Sequence, residues 1–167
     1  SATLDNDKEK TSKMIASATH LTSEALIDVR NSVFALRQGP EAIKPLPDRI
    51  KDVIDSTSTN NIAFSFKTIG NPEQLPPQED ISLYRGVQEM VNNVIKHSRA
   101  TKAEIILDYF KPKIVSLVCS DDGIGSSHFE TGFGILGLRE RIKLLNGEVE
   151  INTDLEKGFE ITIRIPR

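Results

Sequence analysis

Apolar positions recur every three or four residues between Thr11 and Arg37, at Ala18, Leu21, Ala25, Val29, Val33 and Leu36, with Met14, Ile15 and Leu26 widening the stripe. That spacing marks one face of an α-helix. No glycine or proline interrupts the stretch, and Gln38-Gly39-Pro40 follows it. Glycine favours the left-handed position after a helix, and proline cannot extend one. A helix of about 30 residues is roughly 45 Å long, too long to pack along its whole length on the rest of the chain. Part of the stripe is therefore expected to meet another chain or a segment outside this sequence.

Beyond Pro47 the pattern shortens. Asp48 to Thr57 places Ile50, Val53 and Ile54 on one side of a short helix, and Ile62 to Phe66 alternates Ile62, Phe64 and Phe66 with Ala63 and Ser65. Strict alternation is a strand signal. Asn71 to Gln78 holds three prolines and reads as a loop. Glu79 to His97 predicts a helix. Ala103 to Phe110 and Ile114 to Ser120 predict two strands joined as a hairpin by Lys111-Pro112-Lys113. Gly137 to Asn146 predicts a helix ended by Asn146-Gly147, and Val149 to Thr153 and Phe159 to Ile165 a last pair of strands. Phe159, Ile161, Ile163 and Ile165 alternate with Glu160, Thr162 and Arg164, so one face is buried and the other wet. The body from about residue 42 thus predicts an α+β fold: a two-layer sandwich with a mixed, largely antiparallel sheet and helices on one face. Its boundary with the N-terminal helix falls between Gln38 and Pro47, giving units 1–39 and 40–167.

Composition narrows the function classes. With 21 Lys and Arg against 24 Asp and Glu, the formal net charge is -3, which argues against a nucleic-acid binder with a globally basic surface. The single cysteine, Cys119, excludes an intramolecular disulfide framework and a Cys-cluster zinc site, and fits a reducing compartment. No apolar run approaches ~18 residues, the length of a membrane-spanning helix. The polar opening, Ser1 to Lys8, does not read as a signal peptide.

Candidate chemistry lies in three places. On the helix from Glu79 to His97, ~100° per residue brings Glu89, Asn93, Lys96 and His97 to one face, and Tyr84, Val87, Val91, Val94 and Ile95 to the other. A carboxylate, a carboxamide, an ammonium and an imidazole are thereby presented together. A solvated helix face reads the same way on this segment alone. Second, Asp121 continues the core-facing row Val115, Leu117, Cys119 and opens Asp121-Asp122-Gly123-Ile124-Gly125. A carboxylate at the end of a buried row needs a donor, from the protein or from the exocyclic amine of a bound base. The glycines let the backbone approach a flat ligand, although an ordinary Asp-Gly turn has the same sequence. Third, Gly132-Phe133-Gly134-Ile135-Leu136-Gly137 precedes a helix, an arrangement suited to phosphate. It follows twelve residues, Asp121 to Gly132, rather than a strand directly, so it is not a Rossmann turn, and no Gly-Lys-Ser/Thr Walker ending is present.

The order of these three elements resembles the Bergerat ATP-binding fold of gyrase, heat-shock 90 proteins, histidine kinases and MutL-type repair proteins. Within that superfamily the chain most resembles the catalytic domain of bacterial sensor histidine kinases, of the nitrate- and membrane-fluidity-sensing kind. The resemblance is carried by Leu83 to Ser98, by the Asp121 segment, and by Gly132 to Arg141 ending in Leu-Arg-Glu-Arg. Glu24 to Arg37 is similar to the second helix of that subfamily's dimerisation hairpin.

The resemblance implies that ATP and Mg2+ are the cofactors. Asn93 is expected to coordinate Mg2+, with Glu89 the catalytic acid/base residue. Lys96 and His97 are expected to neutralise phosphate charge. Asp121 is expected to accept from the adenine amino group, and Gly123 and Gly125 to line the base pocket. Gly132, Gly134, Leu136 and Gly137 are expected to form the lid hinge and phosphate-facing turn, with Ile124 to Phe133 a lid that is mobile without nucleotide. The implied activity is transfer of the γ-phosphate of ATP to a histidine on a dimerisation helix not present in this sequence, for relay to an aspartate of a response regulator. The implied partners are that regulator and the phosphoacceptor helix, in a homodimer with no nucleic acid. The implied whole is a membrane-anchored bacterial sensor, with this chain as its cytoplasmic catalytic end.

Three departures accompany the resemblance. Asp122 stands where an Asn is common. Gly158-Phe159 stands where Gly-Thr is common, which removes a hydroxyl near the adenine. No segment carries the family's His-Asp acceptor pair: His20, His97 and His128, the three histidines, lack its context. Alternatives of the same fold are a nucleotide-binding interaction module, an anti-sigma-type serine kinase and a gyrase-type hydrolytic ATPase.

Overall fold

The computed structural model describes residues 44–57, 62–126 and 132–167, together with Thr11 and Thr22. The chain divides into two compact units after Lys44, and the architecture below is that of Pro45–Arg167. Apart from Thr11 and Thr22, the helix expected over 11–37 lies outside the described residues, as do His20, His128 and the centre of the expected lid.

Helix α1 (Leu46–Thr57) buries Leu46, Ile50 and Ile54. It begins two residues before the expected start because the Pro45 carbonyl accepts the N–H groups of Asp48 and Arg49 at 3.0 and 3.2 Å. Strand β1 (Ala63–Ile69) alternates half-buried and exposed positions as predicted, and runs on to Ile69. Helix α2 (Pro77–Asn93) starts inside the stretch expected to be loop. Proline is tolerated at the first helical position, where its missing N–H would have no partner. The helix then widens into a π-turn, Val94–Ser98, which the polar periodicity does not reveal.

Strands β2 (Lys102–Asp108) and β3 (Ile114–Asp121) form the expected antiparallel hairpin. Helix α3 (Phe133–Leu144) begins four residues before Gly137, so Gly134 and Gly137 lie within its first turns rather than ahead of it. Strands β4 (Glu148–Thr153) and β5 (Phe159–Pro166) pair antiparallel. The sheet order is β1-β2-β3-β5-β4. Only β1 and β2 are parallel among the described pairs, joined through α2.

The mixed α+β sandwich follows from which residues face inward. Leu83, Val87 and Met90 of α2 and Leu138 and Ile142 of α3 are buried with Ile105, Leu107, Leu117, Ile163 and Ile165 of the sheet. Contact is close enough that a Cβ added at Gly86 would come within 2.8 Å of Ile163 Cδ1. The opposite sheet face carries ion pairs, Lys67 to Glu104 at 2.6 Å and Arg164 to Glu150 at 2.8 Å. Thr162, expected on that wet face, is only 6% exposed. Tyr84 packs on the core edge and also carries the Arg49 guanidinium, 4.5 Å from its ring centre, while Arg49 pairs with Asp80 at 2.7 Å.

Candidate functional site

The site lies where the end of α2, the end of β3 and the start of α3 converge. On α2, Glu89 and Asn93 are one helical turn apart and half-buried. The Asn93 Nδ2 donates to Glu89 Oε1 at 3.1 Å. That bond fixes the carboxamide so that its oxygen remains available as a ligand. Lys96 and His97 are exposed on the π-turn. A π-turn takes one residue more per hydrogen-bonded ring than an α-helix, so these two side chains depart from the ideal 100° spacing with Glu89 and Asn93.

The π-turn ends at Arg99, which adopts a left-handed conformation with φ 54°. Ser98 secures this exit. Its hydroxyl donates to the Val94 carbonyl at 2.7 Å and accepts from Ala100 N–H at 3.0 Å, while its carbonyl accepts the Ile124 N–H at 2.9 Å. The end of α2 is thereby tied to the glycine-rich segment after β3.

Asp121 and Asp122 are adjacent but differently employed. Asp121 is half-buried; its Oδ1 accepts Gly123 N–H at 2.8 Å. Burial raises its pKa above the ordinary 3.8, partly opposed by the N–H groups of Gly123 and Phe159. Asp122 is exposed and clasps the start of β2. It accepts Thr101 N–H at 2.7 Å, the Thr101 hydroxyl at 2.7 Å and Lys102 N–H at 2.8 Å. Those bonds, the Lys102 N–H foremost, lower its pKa. The acid in place of the common Asn is thus a staple between β3 and β2. Behind Asp121, Cys119 is buried, and desolvation followed by the Asp121 charge pushes its thiol up to about 12.

The glycines divide by role. A Cβ at Gly123 would fall on the Ser98 carbonyl, and one at Gly134 on the Glu89 carboxylate. Gly125 (φ 56°) has the Asp154 carbonyl against it, and Gly158 (φ 77°) the Asp121 carbonyl. Gly132 caps α3 with open space around it and no side-chain cap bond. Glycine at the cap supplies no side chain for the first N–H groups of α3, and free N–H groups at a helix start attract an anion. Leu136 is 47% exposed on the first turns of α3, and Gly137 lies beside the Arg141 guanidinium.

All eleven predicted site residues are thus described, on α2, its π-turn, the segment after β3 and the start of α3. Ser98 and Asp122 make contacts at the site to which the sequence assigned no role; Asp122 left a signal, a second carboxylate beside the first. Among the described residues no group of three or more His, Cys, Asp or Glu side chains is placed to hold a metal ion.

The family model for histidine kinase-, DNA gyrase B- and HSP90-like ATPases matches residues 78–167, from the start of α2 to the C-terminal residue. The chain belongs to this family. It carries an ATPase domain of the kind found in sensor histidine kinases. The chain is 30% identical over 166 residues to the signal transduction histidine-protein kinase/phosphatase DegS of Brevibacillus brevis, covering 97% of this chain and 43% of that one. It is 28% identical over 163 residues to the sensor histidine kinase DesK of Bacillus subtilis, covering 96% and 42%. The chain therefore spans about two fifths of the length of these curated relatives. The histidine kinase domain of the Erythrobacter litoralis EL346 blue-light activated kinase superposes with a TM-score of 0.60 at 17% identity, covering 74% of this chain and 62% of that one, a likeness of fold. Among the described residues no helix is long and apolar enough to cross a membrane.

Proposed function

We propose that the chain binds Mg-ATP at this site and transfers the γ-phosphoryl group to a histidine of a dimerisation helix, as the catalytic part of a two-component sensor kinase. The observation that carries the proposal is the Glu89 carboxylate, bonded by Asn93 at 3.1 Å and set against Gly134 at the start of α3. A proton acceptor, an oxygen ligand and an anion-attracting helix end meet in one place.

Asp121 accepts the adenine amino group with the lone pairs that Gly123 and Phe159 leave free. The N–H groups opening α3, with Lys96 and His97, face the phosphates. Asn93 would hold Mg2+ through its carboxamide oxygen, a hard ligand suited to that ion, and the ion when bound would offset phosphate charge. Glu89 orients the accepting imidazole and takes its proton as the nitrogen–phosphorus bond forms and the bond from the γ-phosphorus to the bridging oxygen breaks, releasing ADP.

Residues 1–39 are assigned to the second helix of a dimerisation hairpin and 40–167 to the catalytic domain. The assembly is a homodimer whose phosphoryl group passes to an aspartate of a response regulator, and the chain is the cytoplasmic end of a membrane-anchored sensor. Nucleotide binding tests the pocket. ATP should bind more tightly with Mg2+ than without, and Asn93→Ala should erase that difference while leaving metal-free binding in place. Equal affinity with and without Mg2+ in the parent would overturn the role of Asn93.

A further inference from the structure

Two segments that are distant in sequence run against each other beside Asp121: Asp121 to Ser126 after β3, and Thr153 to Phe159 between β4 and β5. They approach so closely that glycines with positive φ, Gly125 and Gly158, are required on both sides. Backbone bonds join them, with Glu156 N–H donating to the Ile124 carbonyl at 2.8 Å. One side chain also spans the gap. The Thr153 hydroxyl accepts Ser126 N–H at 2.9 Å and donates to the Gly158 carbonyl at 3.0 Å.

A hydroxyl has one proton to give and lone pairs to accept with, and both capacities are used here. The consequence reaches Asp121 through two links. The Asp121 carbonyl lies against Gly158, and the next residue, Phe159, is the cross-strand partner of both Asp121 and Thr153. Holding Gly158 therefore holds the backbone beside the carboxylate, and holding Ser126 fixes the far end of the segment that Asp121 begins.

We propose that Thr153 is a positioning residue for base recognition: its hydroxyl locks the Gly158 carbonyl and the Ser126 amide so that the Asp121 carboxylate discriminates an amino-bearing purine from a keto-bearing one. An adenine amino group donates to the carboxylate, whereas guanine presents a carbonyl oxygen there, which the carboxylate repels. Such discrimination depends on the acceptor being held in place, because a site built around one hydrogen bond rejects a ligand that cannot make it. The proposal rests on the reading of Asp121 as the base acceptor.

The test is equilibrium binding of ATP and GTP to the full chain and to Thr153→Val, Thr153→Ser and Asp121→Asn. Thr153→Val removes both bonds at almost constant volume and should weaken ATP binding about tenfold. GTP binding should change much less, so the ATP preference narrows. Thr153→Ser keeps the hydroxyl and should restore the preference. Equal weakening of both nucleotides, or an unchanged ratio, would overturn the inference. Asp121→Asn separates the two levels: if it leaves the ATP preference intact, the base-acceptor reading fails; if it abolishes the preference while Thr153→Val matches the parent, only the role of Thr153 fails. Amide hydrogen exchange at Ser126 in the parent chain needs no variant. Protection supports the bond to Thr153, and exchange at the rate of an open amide contradicts it.

Discussion

The Glu89 carboxylate lies directly against the backbone of Gly134, so that the proposed proton acceptor on α2 rests on the first turn of α3 with no room for a side chain between them. Gly134 is the second residue of α3, and a Cβ there would have to displace the Glu89 carboxylate.

Gly134→Ala should therefore separate stability from turnover. The added methyl displaces the Glu89 carboxylate from its place against α3. Folding should persist by circular dichroism, while phosphoryl transfer falls roughly tenfold to a hundredfold through misplacement of the reacting groups. Parent-like transfer would show that the contact has no bearing on catalysis.

Gly123 and Gly132 were expected to serve the same ligand, yet their surroundings differ. A Cβ at Gly123 meets the Ser98 carbonyl, whereas one at Gly132 meets nothing within 4 Å. Gly123→Ala should disrupt the tie between the α2 exit and the Asp121 segment, and weaken ATP binding measurably by calorimetry. Gly132→Ser should fold, since the extended backbone, φ -67° and ψ 164°, suits a serine cap worth only about a few tenths of a kcal/mol over glycine, but its hydroxyl would compete with phosphate for the α3 N–H groups and so weaken ATP binding.

Asp121 and Asp122 should titrate on opposite sides of the ordinary aspartate value of 3.8, as followed by carboxyl-carbon NMR. Asp122 is bonded as a carboxylate, so the stability it contributes is present above its unfolded value and is lost as pH falls through its depressed folded value. Asp121 has the opposite sign. Burial favours its protonated form, so ionising it lowers stability as pH rises from 3.8 through its raised folded value. Asp122→Asn should remove the first dependence and leave the second. Coincident midpoints for the two residues would contradict their assigned environments.

Cys119 should be inert in the folded chain. It is buried, with its thiol pushed up to about 12, and the thiolate is the reactive form. A neutral-pH alkylating reagent should label it only as fast as the surrounding strands open, and bound ATP should slow that labelling further. Rapid labelling would mean that the floor behind Asp121 is open.

The two-layer fold was legible because each strand is half-covered. Phe64 and Phe66, Val115 and Leu117, and Ile161, Ile163 and Ile165 take the faces that their alternation predicts. Boundaries were harder where residue preference and structure disagree. The glycines at 134 and 137 disfavour helix, so local propensity placed the start of α3 at Gly137, whereas the helix begins at Phe133. The π-turn leaves Val94 buried, as an α-helix would, and so leaves no mark in the polar pattern. Asp121 could be singled out because it ends a core-facing row. Asp122 showed only as a second carboxylate, because its partners, Thr101 and Lys102, come beside it only in the folded chain; Thr153 is hidden for the same reason, and Ser98 because its hydroxyl serves the local π-turn exit, which the polar pattern does not mark.

The central claim concerns Glu89, and it is tested most directly by following labelled γ-phosphate from ATP to a separately supplied histidine-bearing dimerisation segment. The chain should transfer label to that histidine. Glu89→Ala should still bind ATP while transfer falls by about 10²–10⁴, the range for loss of a positioned acid/base group. Full transfer by Glu89→Ala, or none by a parent chain that demonstrably binds ATP, would contradict the account.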